Sequence, residues 1–276
     1  VRDLFPAVAE TAATGATAEL FADIRETVGV RVVNLVWRHL ATIEGALPSA
    51  WSAVKPLYVQ GMVDRAAVRF REEMVLPTLD ALAGDEPASV DAVLASYDHS
   101  NTINLLALGA LTACLHGDVA AVGVPERGPR LPAPDVTLPK LASAEDVSPA
   151  TWATVLRLNC FGDREQVILA SMYRHLAHAP AFLVRLEMAL RPAEEDGSLL
   201  RAIAANKRAA YERSRVLARA ISTAPRSRGA EIEAAVSLFV DHAIGKMVTI
   251  CRAIRIARNA VSRHNGEGSM PWSEGR

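Results

Sequence analysis

Two histidines, His39 and His175, stand at matching places in two look-alike segments, Val36-Trp37-Arg38-His39-Leu40-Ala41 and Met172-Tyr173-Arg174-His175-Leu176-Ala177. An imidazole titrates close to neutral pH, so either ring has the chemistry of a general base or acid. A pseudo-twofold axis relating the segments would bring the two rings towards one another. The bland reading of each is a packed histidine bonded to a carbonyl between helices. A metal pair is disfavoured, because no third ligand lies at zinc spacing. His175 follows Met172 by three residues, about one helical turn, so both reach the same side of a helix.

Other side chains belong with this pair. Tyr173 echoes Trp37; each could wall a pocket or fill a core. Tyr97-Asp98-His99-Ser100-Asn101 is echoed by Tyr211-Glu212-Arg213-Ser214-Arg215, which makes Tyr97 a hydroxyl donor to a pocket or a packed ring with a polar tip. Asn101 reads as a helix-start asparagine that caps the helix and presents its amide to a ligand, with Asn104 on the same turn. Arg215 suits a carboxylate in principle, although a surface ion pair is the simpler role. His99 and Asp98 are sequence neighbours and diverge on a helix, so they form no dyad. There is neither a nucleophile-elbow serine nor a Gly-rich phosphate loop, so nucleotide chemistry has no support.

The elements that must position these residues are helical throughout, since almost every apolar stretch has a helix period. The spacing predicts a helix from near Thr17 through Val28, a second through Val32, Leu35, His39 and Leu40 to about Glu44, and a third over 50–55 that Pro56 bends or ends. A helix over 61–82 is interrupted at Pro77, and 90–97 and 101–115 complete the first half. Between 117 and 150 six prolines, Pro125, Pro129, Pro132, Pro134, Pro139 and Pro149, exclude helix and sheet and predict a semi-rigid extended linker, with a proline-rich recognition motif as the alternative. Helices resume over 149–159, 164–177, 181–190, 197–223 and 230–260. The expected fold class is all-α, with two pseudo-symmetric helical repeats (1–116 and 151–264) joined by a Pro-rich linker (117–150) and followed by a frayed polar tail (265–276). A pocket at the seam of the repeats follows from such a duplication.

Composition narrows the function. Half of the 276 residues are hydrophobic and 22% are charged, the balance of a globular chain with two domains or one large core. Lys plus Arg number 30 against 31 acidic residues, for a net charge of -1, and no basic stripe interleaves with aromatics, so nucleic acid is not an expected partner. Cys114, Cys160 and Cys251 are scattered without a Cys-x-x-Cys pair, which removes zinc knuckles and dithiol centres and fits a reducing compartment. Val1-Arg2-Asp3-Leu4-Phe5-Pro6 shows no signal peptide pattern. The apolar run from Leu105 to Leu115 is too short to span a bilayer, and the stretch from Val236 to Ile254 is interrupted by Asp241, His242, Lys246 and Arg252. A soluble, cytoplasmic protein without a membrane partner is expected.

Several stretches together resemble the group I 2-haloacid dehalogenases: Asp23-Ile24-Arg25, the Val30 to Trp51 block with Leu40-Ala41-Thr42 and Gly45-Ala46-Leu47-Pro48, Ser100-Asn101 with Leu105-Leu106, the proline-rich middle, and Ala170-Ser171 to Pro180. The resemblance covers nearly the whole chain apart from the tail. It implies an all-helical, cofactor-free enzyme of two tandem repeats, a homodimer, with the site between the repeats. In that family an aspartate on the second repeat takes a proton from water, which displaces halide at the α-carbon with inversion and without a covalent intermediate. An asparagine of the first repeat positions water or substrate, and aromatics wall the pocket. Here Asn101 matches the asparagine and Ser171 the serine before the acid. The acid's own position holds Met172, and Val32 and Leu35 stand in place of aromatics.

A thioether is not a base, and general-base help is worth about 10² to 10⁴ in rate. Asp163 and Glu165 are the nearest carboxylates in sequence, with Glu165 two turns away at about 10 Å along a helix axis. Met, Val and Leu also make the pocket more apolar, which favours a larger, greasier ligand over a small carboxylate. Three readings follow. The first is a divergent enzyme acting on an apolar organic molecule, with His175, His39 and Tyr173 in acid–base roles and with Asn101, Ser171, Met172, Val32, Leu35, Asn104, Trp37 and Tyr97 around the substrate. The second is a 2-haloacid dehalogenase with another water activator. The third is a non-catalytic small-molecule binder or interaction protein.

Overall fold

The computed structural model describes residues 6–266 except 83, 85, 164, 166, 167, 226 and 227, with side chains described through 259. Among the described residues there is no strand. The first half comprises α1 (Gly15–Val28), α2 (Leu35–Leu40), α3 (Ala46–Val59), α4 (Met62–Glu73) and α5 (Ala88–His116). The second comprises α6 (Pro149–Cys160), α7 (Ser171–Leu176), α8 (Pro180–Glu195), α9 (Ser198–Leu217), α10 (Gly229–Phe239) and α11 (Gly245–Gly266), with a π-helical stretch, Val240–Ile244, fusing the last two into one rod. The all-helical expectation holds.

α5 is the axis of the molecule. Nearly every residue from Asp98 to Ala113 is buried, as expected for a helix apolar around most of its circumference. The sequence reading ended one helix at Tyr97 and began another at Asn101; α5 instead runs through without a break. Its polar stretch survives burial because most of its groups are answered. His99 Nε2 lies 3.1 Å from Val28 O, Thr102 Oγ1 donates to Asp98 O at 2.7 Å, and Asn104 Nδ2 donates to Ser100 O at 2.8 Å. Asn101 is therefore mid-helix and caps nothing. α9 crosses α5 closely at Gly109, where an added Cβ would lie 2.5 Å from Ser214 Oγ.

Other boundaries also moved. α2 is six residues long and starts at Leu35, after a bend at Arg31-Val32 and a non-helical Asn34 (φ -56, ψ 144). Pro56 sits inside α3, which continues to Val59. α4 stops at Glu73, well before Pro77, because the backbone of Val75 pairs with a side chain: its N–H donates to Asn206 Oδ1 at 2.9 Å and its carbonyl accepts from Asn206 Nδ2 at 2.8 Å. α7 starts at Ser171 and not at residue 164. There Asn159 takes the Ala170 N–H and donates to Ile168 O, each at 3.0 Å, holding the described part of the approach extended. The tail expected to fray from 265 lies largely outside the described residues.

Two apolar cores result. One gathers α1 to α4, the later part of α5 and α10; the other gathers α6 to α8, the start of α5 and much of α11. The proline-rich segment has no helix or strand between 118 and 147 apart from a turn at 144–146, yet it is not a free spacer. Leu131 N donates to Asp64 Oδ1 at 2.9 Å, Gly128 N donates to Gln60 O at 3.2 Å, and Ala142 is fully buried. The rod from Gly229 to Asn259 is long and apolar enough to cross a bilayer, but 67% of its apolar window is buried inside the protein. It is a core helix.

Candidate active site

Between the two cores lies a cavity of about 60 Å³, room for roughly four to six water-sized groups at ~10–15 Å³ each. α2 and the extended residues before it, α5, α7 and its approach, and the π-bulged rod all open onto it. Val32, Leu35, Met172, Ile168, Phe239 and Met247 are among the residues of its apolar wall. π-Bulges recur at functional sites because they re-aim side chains within a helix; here the bulge brings Ala243 and Ile244 to the lining.

His175 is the chemically distinctive group. It lines the cavity and is 4% exposed. Nδ1 lies 2.8 Å from Pro139 O, and since a carbonyl can only accept, Nδ1 carries the hydrogen. Nε2 is then a buried lone pair, and it has no hydrogen-bond partner among the described residues. Burial lowers the pKa to about 4, opposed by the Pro139 bond and reinforced by Arg174 and His178. The ring packs on Tyr97, with centroids 5.8 Å apart. Tyr97 also lines the cavity; its hydroxyl is hydrogen-bonded to Ser171, and burial pushes its pKa up.

On the opposite side, Asn34 Nδ2 donates to Asn101 Oδ1 at 3.3 Å, leaving the Asn101 amino group to face other partners. Asn34, Asn101, Ser96, Ser100 and Arg38 all reach the lining. The Arg38 Nε donates to Val8 O at 3.0 Å, and its charge acts on the Tyr97 hydroxyl. No aspartate or glutamate is among the residues lining the cavity. Asp163 and Glu165 turn instead to His242, at 3.2 and 3.7 Å.

Of the residues proposed from sequence, the structure brings together His175, Tyr97, Asn101, Ser171, Met172, Val32 and Leu35. It leaves four out of the lining. Tyr173 is fully buried in the second core, with its hydroxyl unpartnered and its pKa raised by burial. Trp37 is fully buried in the first core and donates from Nε1 to Asn104 Oδ1 at 3.1 Å. Asn104 has no capacity to spare: it also accepts from Tyr58 Oη at 2.7 Å and donates to Asn34 Oδ1 at 3.1 Å and to Ser100 O. His39 does not join His175. It straps the chain's beginning, with Nδ1 2.7 Å from Pro6 O, and packs against Phe239. Tyr211 and Arg215 also lie elsewhere, bonded to Asp118.

The two short helices share one device. Arg38 and His39 bind the carbonyls of Val8 and Pro6, and Arg174 and His175 bind those of Ala142 and Pro139. In the second half the strapped segment supplies Leu138 and Leu141 to the cavity. Sequence reasoning missed Asn34, Arg38 and this strap, although the arginine preceding each repeated histidine was a visible signal.

No family model matches the sequence. Over 134 aligned residues, 45% of this chain, it is 28% identical to a configuration-inverting 2-haloacid dehalogenase of Pseudomonas sp. (strain 113), and it spans 44% of that relative's length. Among solved structures it is similar to a D-2-haloacid dehalogenase mutant (17% identity, TM-score 0.71), to a D-2-haloacid dehalogenase in complex with L-LA (17%, 0.69) and to a mutant in complex with D-2-CPA (18%, 0.68). Each covers 93% of this chain and 97% of the other. The resemblance read from the sequence thus reappears in local sequence over part of the chain and in fold over nearly all of it.

Proposed function

We propose that this chain, which is haloacid-dehalogenase-like in fold, is a small-molecule enzyme whose active site is the cavity between the two cores and whose proton acceptor is His175. The observation that carries this reading is the unpartnered Nε2 lone pair of a neutral, buried imidazole at a cavity without a carboxylate. With its pKa lowered to about 4, the imidazole is about as basic as an ordinary aspartate, whose reference value is ≈3.9. It can take the place of an acid as base while carrying no charge at neutral pH. Met172 then contributes apolar wall and not chemistry.

The reaction that suits this site is displacement by water at a carbon bearing a leaving group. Water gives a proton to Nε2 as its oxygen bonds to carbon, the carbon–leaving-group bond breaks, and the leaving group departs with the bond's electron pair. For a halide the products are an alcohol, halide ion and the proton on His175. The cavity's size favours a compact substrate over the larger one expected from sequence. Arg38 favours one that carries an acid group at the rim, which brings a 2-haloacid, the substrate class named in the relatives, back into range.

Release of halide from each enantiomer of 2-chloropropionate tests the reaction, and His175→Gln tests the base. The variant is expected to lose about 10² or more in kcat with a smaller change in KM. Met172→Asp, which returns a carboxylate to the wall, is expected to restore halide release in the His175→Gln background. Full activity in His175→Gln would remove the histidine from the chemistry. A wild-type protein that binds these acids but releases no halide would favour the non-catalytic binder.

A further inference from the structure

A second group of charges lies away from the cavity and takes no part in the proposed chemistry. Asp98, 2% exposed, sits where α4, α5 and α11 meet. Three guanidiniums converge on its Oδ2: Arg71 Nε at 3.9 Å, Arg252 Nη1 at 3.4 Å and Arg255 Nη1 closer still. Arg71 also donates to Asp98 O at 2.8 Å. Among the described residues Oδ1 has no hydrogen-bond partner, and neither do the buried Arg71 Nε and Arg252 Nε. Unpaired buried donors are uncommon enough to need a reason.

One carboxylate does not neutralise three cations. Asp64 acts on Arg71 from α4 itself, but its Oδ1 is taken by the Leu131 N–H. No other carboxylate among the described residues pairs with Arg71, Arg252 or Arg255. Arg71 feels the excess: burial lowers its pKa, Asp98 opposes this, and Arg252 and Arg255 push it down further. The Arg252 and Arg255 side chains are 29% and 33% exposed, so the surplus charge opens onto solvent. It is a local feature of a chain whose net charge is -1.

We propose that Arg71, Arg252 and Arg255 form a binding site for a compact oxyanion of the phosphate class, with Asp98 as the internal counter-ion that holds the three forks in place. Planar guanidinium groups match tetrahedral oxyanions in geometry as well as charge. Such a ligand would meet the solvent-facing guanidinium edges of Arg252 and Arg255, which Asp98 engages through one Nη each, and balance the remaining charge.

Isothermal titration and thermal melting with inorganic phosphate test the site, with sulfate as a second tetrahedral oxyanion and with chloride and acetate at matched ionic strength. Saturable phosphate and sulfate binding is expected, with a rise in Tm that chloride and acetate do not produce. Arg252→Gln and Arg255→Gln are each expected to weaken phosphate about tenfold or more, the worth of a lost charged hydrogen bond. An absence of saturable binding at high millimolar phosphate, an equal response to acetate, or unchanged affinity in both variants would overturn the site. The wild-type titration is decisive by itself if either variant fails to fold. Because no residue of the trio lines the cavity, this result stands apart from the outcome of the halide assay.

Discussion

His175 and Asn104 are both buried polar side chains within one polar seam, and their remaining bonding capacity separates their roles. Asn104 spends both its oxygen and its amino group on Trp37, Tyr58, Asn34 and its own helix. His175 spends Nδ1 on Pro139 and keeps Nε2. That spare lone pair has a thermodynamic signature. Burial holds the folded pKa at about 4, against about 6.5 for a solvated imidazole, so between these values the unfolded chain binds a proton that the folded chain does not. The neutral ring's contribution is fully present above pH 6.5 and is lost as the pH falls towards 4, a loss of roughly 3 kcal/mol at 1.36 kcal/mol per unit. Urea denaturation at pH 7 and pH 4.5 is expected to show wild type losing more stability than His175→Gln, whose side chain does not titrate. Parallel losses in the two proteins would mean that the imidazole titrates normally in the fold.

At the scale of elements, the approach to α7 decides whether Ser171, Met172 and His175 reach the cavity together. Asn159 pins that approach through Ile168 and Ala170, and its own carbonyl accepts from Lys246 Nζ at 2.7 Å. Lys246 is fully buried, and burial lowers its pKa to about 8. Replacing Asn159 by Leu keeps the volume but strands a buried N–H and a carbonyl, at about 1–3 kcal/mol each. Chemical denaturation is expected to register about 2–6 kcal/mol, with KM for any substrate of the cavity rising as α7 loosens; an undisturbed midpoint would deny the pin its role. This pin also marks the limit of what the chain disclosed in advance. Helix type was legible from the 3.6-residue period, and Met172, Ser171 and Val32 were placed by similarity. Helix ends were not, because partners outside each helix set them: Asn206 stops α4, Asn159 delays α7, and the side chains of Arg71 and Asn34 and the Val28 carbonyl let α5 run through its polar stretch. For the same reason Trp37, Asn104 and Tyr173 were indistinguishable from pocket residues by type alone. Arg38 escaped because its role depends on the Val8 strap.

Across the whole molecule, the proline-rich segment replaces what would otherwise be solvent-exposed wall on both cores. Its early part lies against α4 and the turn before it, through Glu126 with Arg65 and Arg69, Gly128 with Gln60, and Leu131 with Asp64. Its later part crosses to α7, where Pro139 fixes the His175 tautomer and Leu138 and Leu141 close the cavity. The first attachment thus bears on the second, since slack at residue 128 can be passed along an extended chain to residue 139. Gly61 is where this can be tested. It has φ +64, and an added Cβ would lie 2.0 Å from Gly128 O, a backbone atom with no rotamer to escape into. Gly61→Ala is expected to cost about 1–3 kcal/mol from the left-handed backbone and the displaced segment. Trypsin should then cut faster at Arg127 and Arg130, which flank the point of contact. Unchanged tryptic rates in a destabilised variant would confine the effect to the α3–α4 turn, whereas faster cutting together with a raised His175 pKa would show the segment coupling one core to the other.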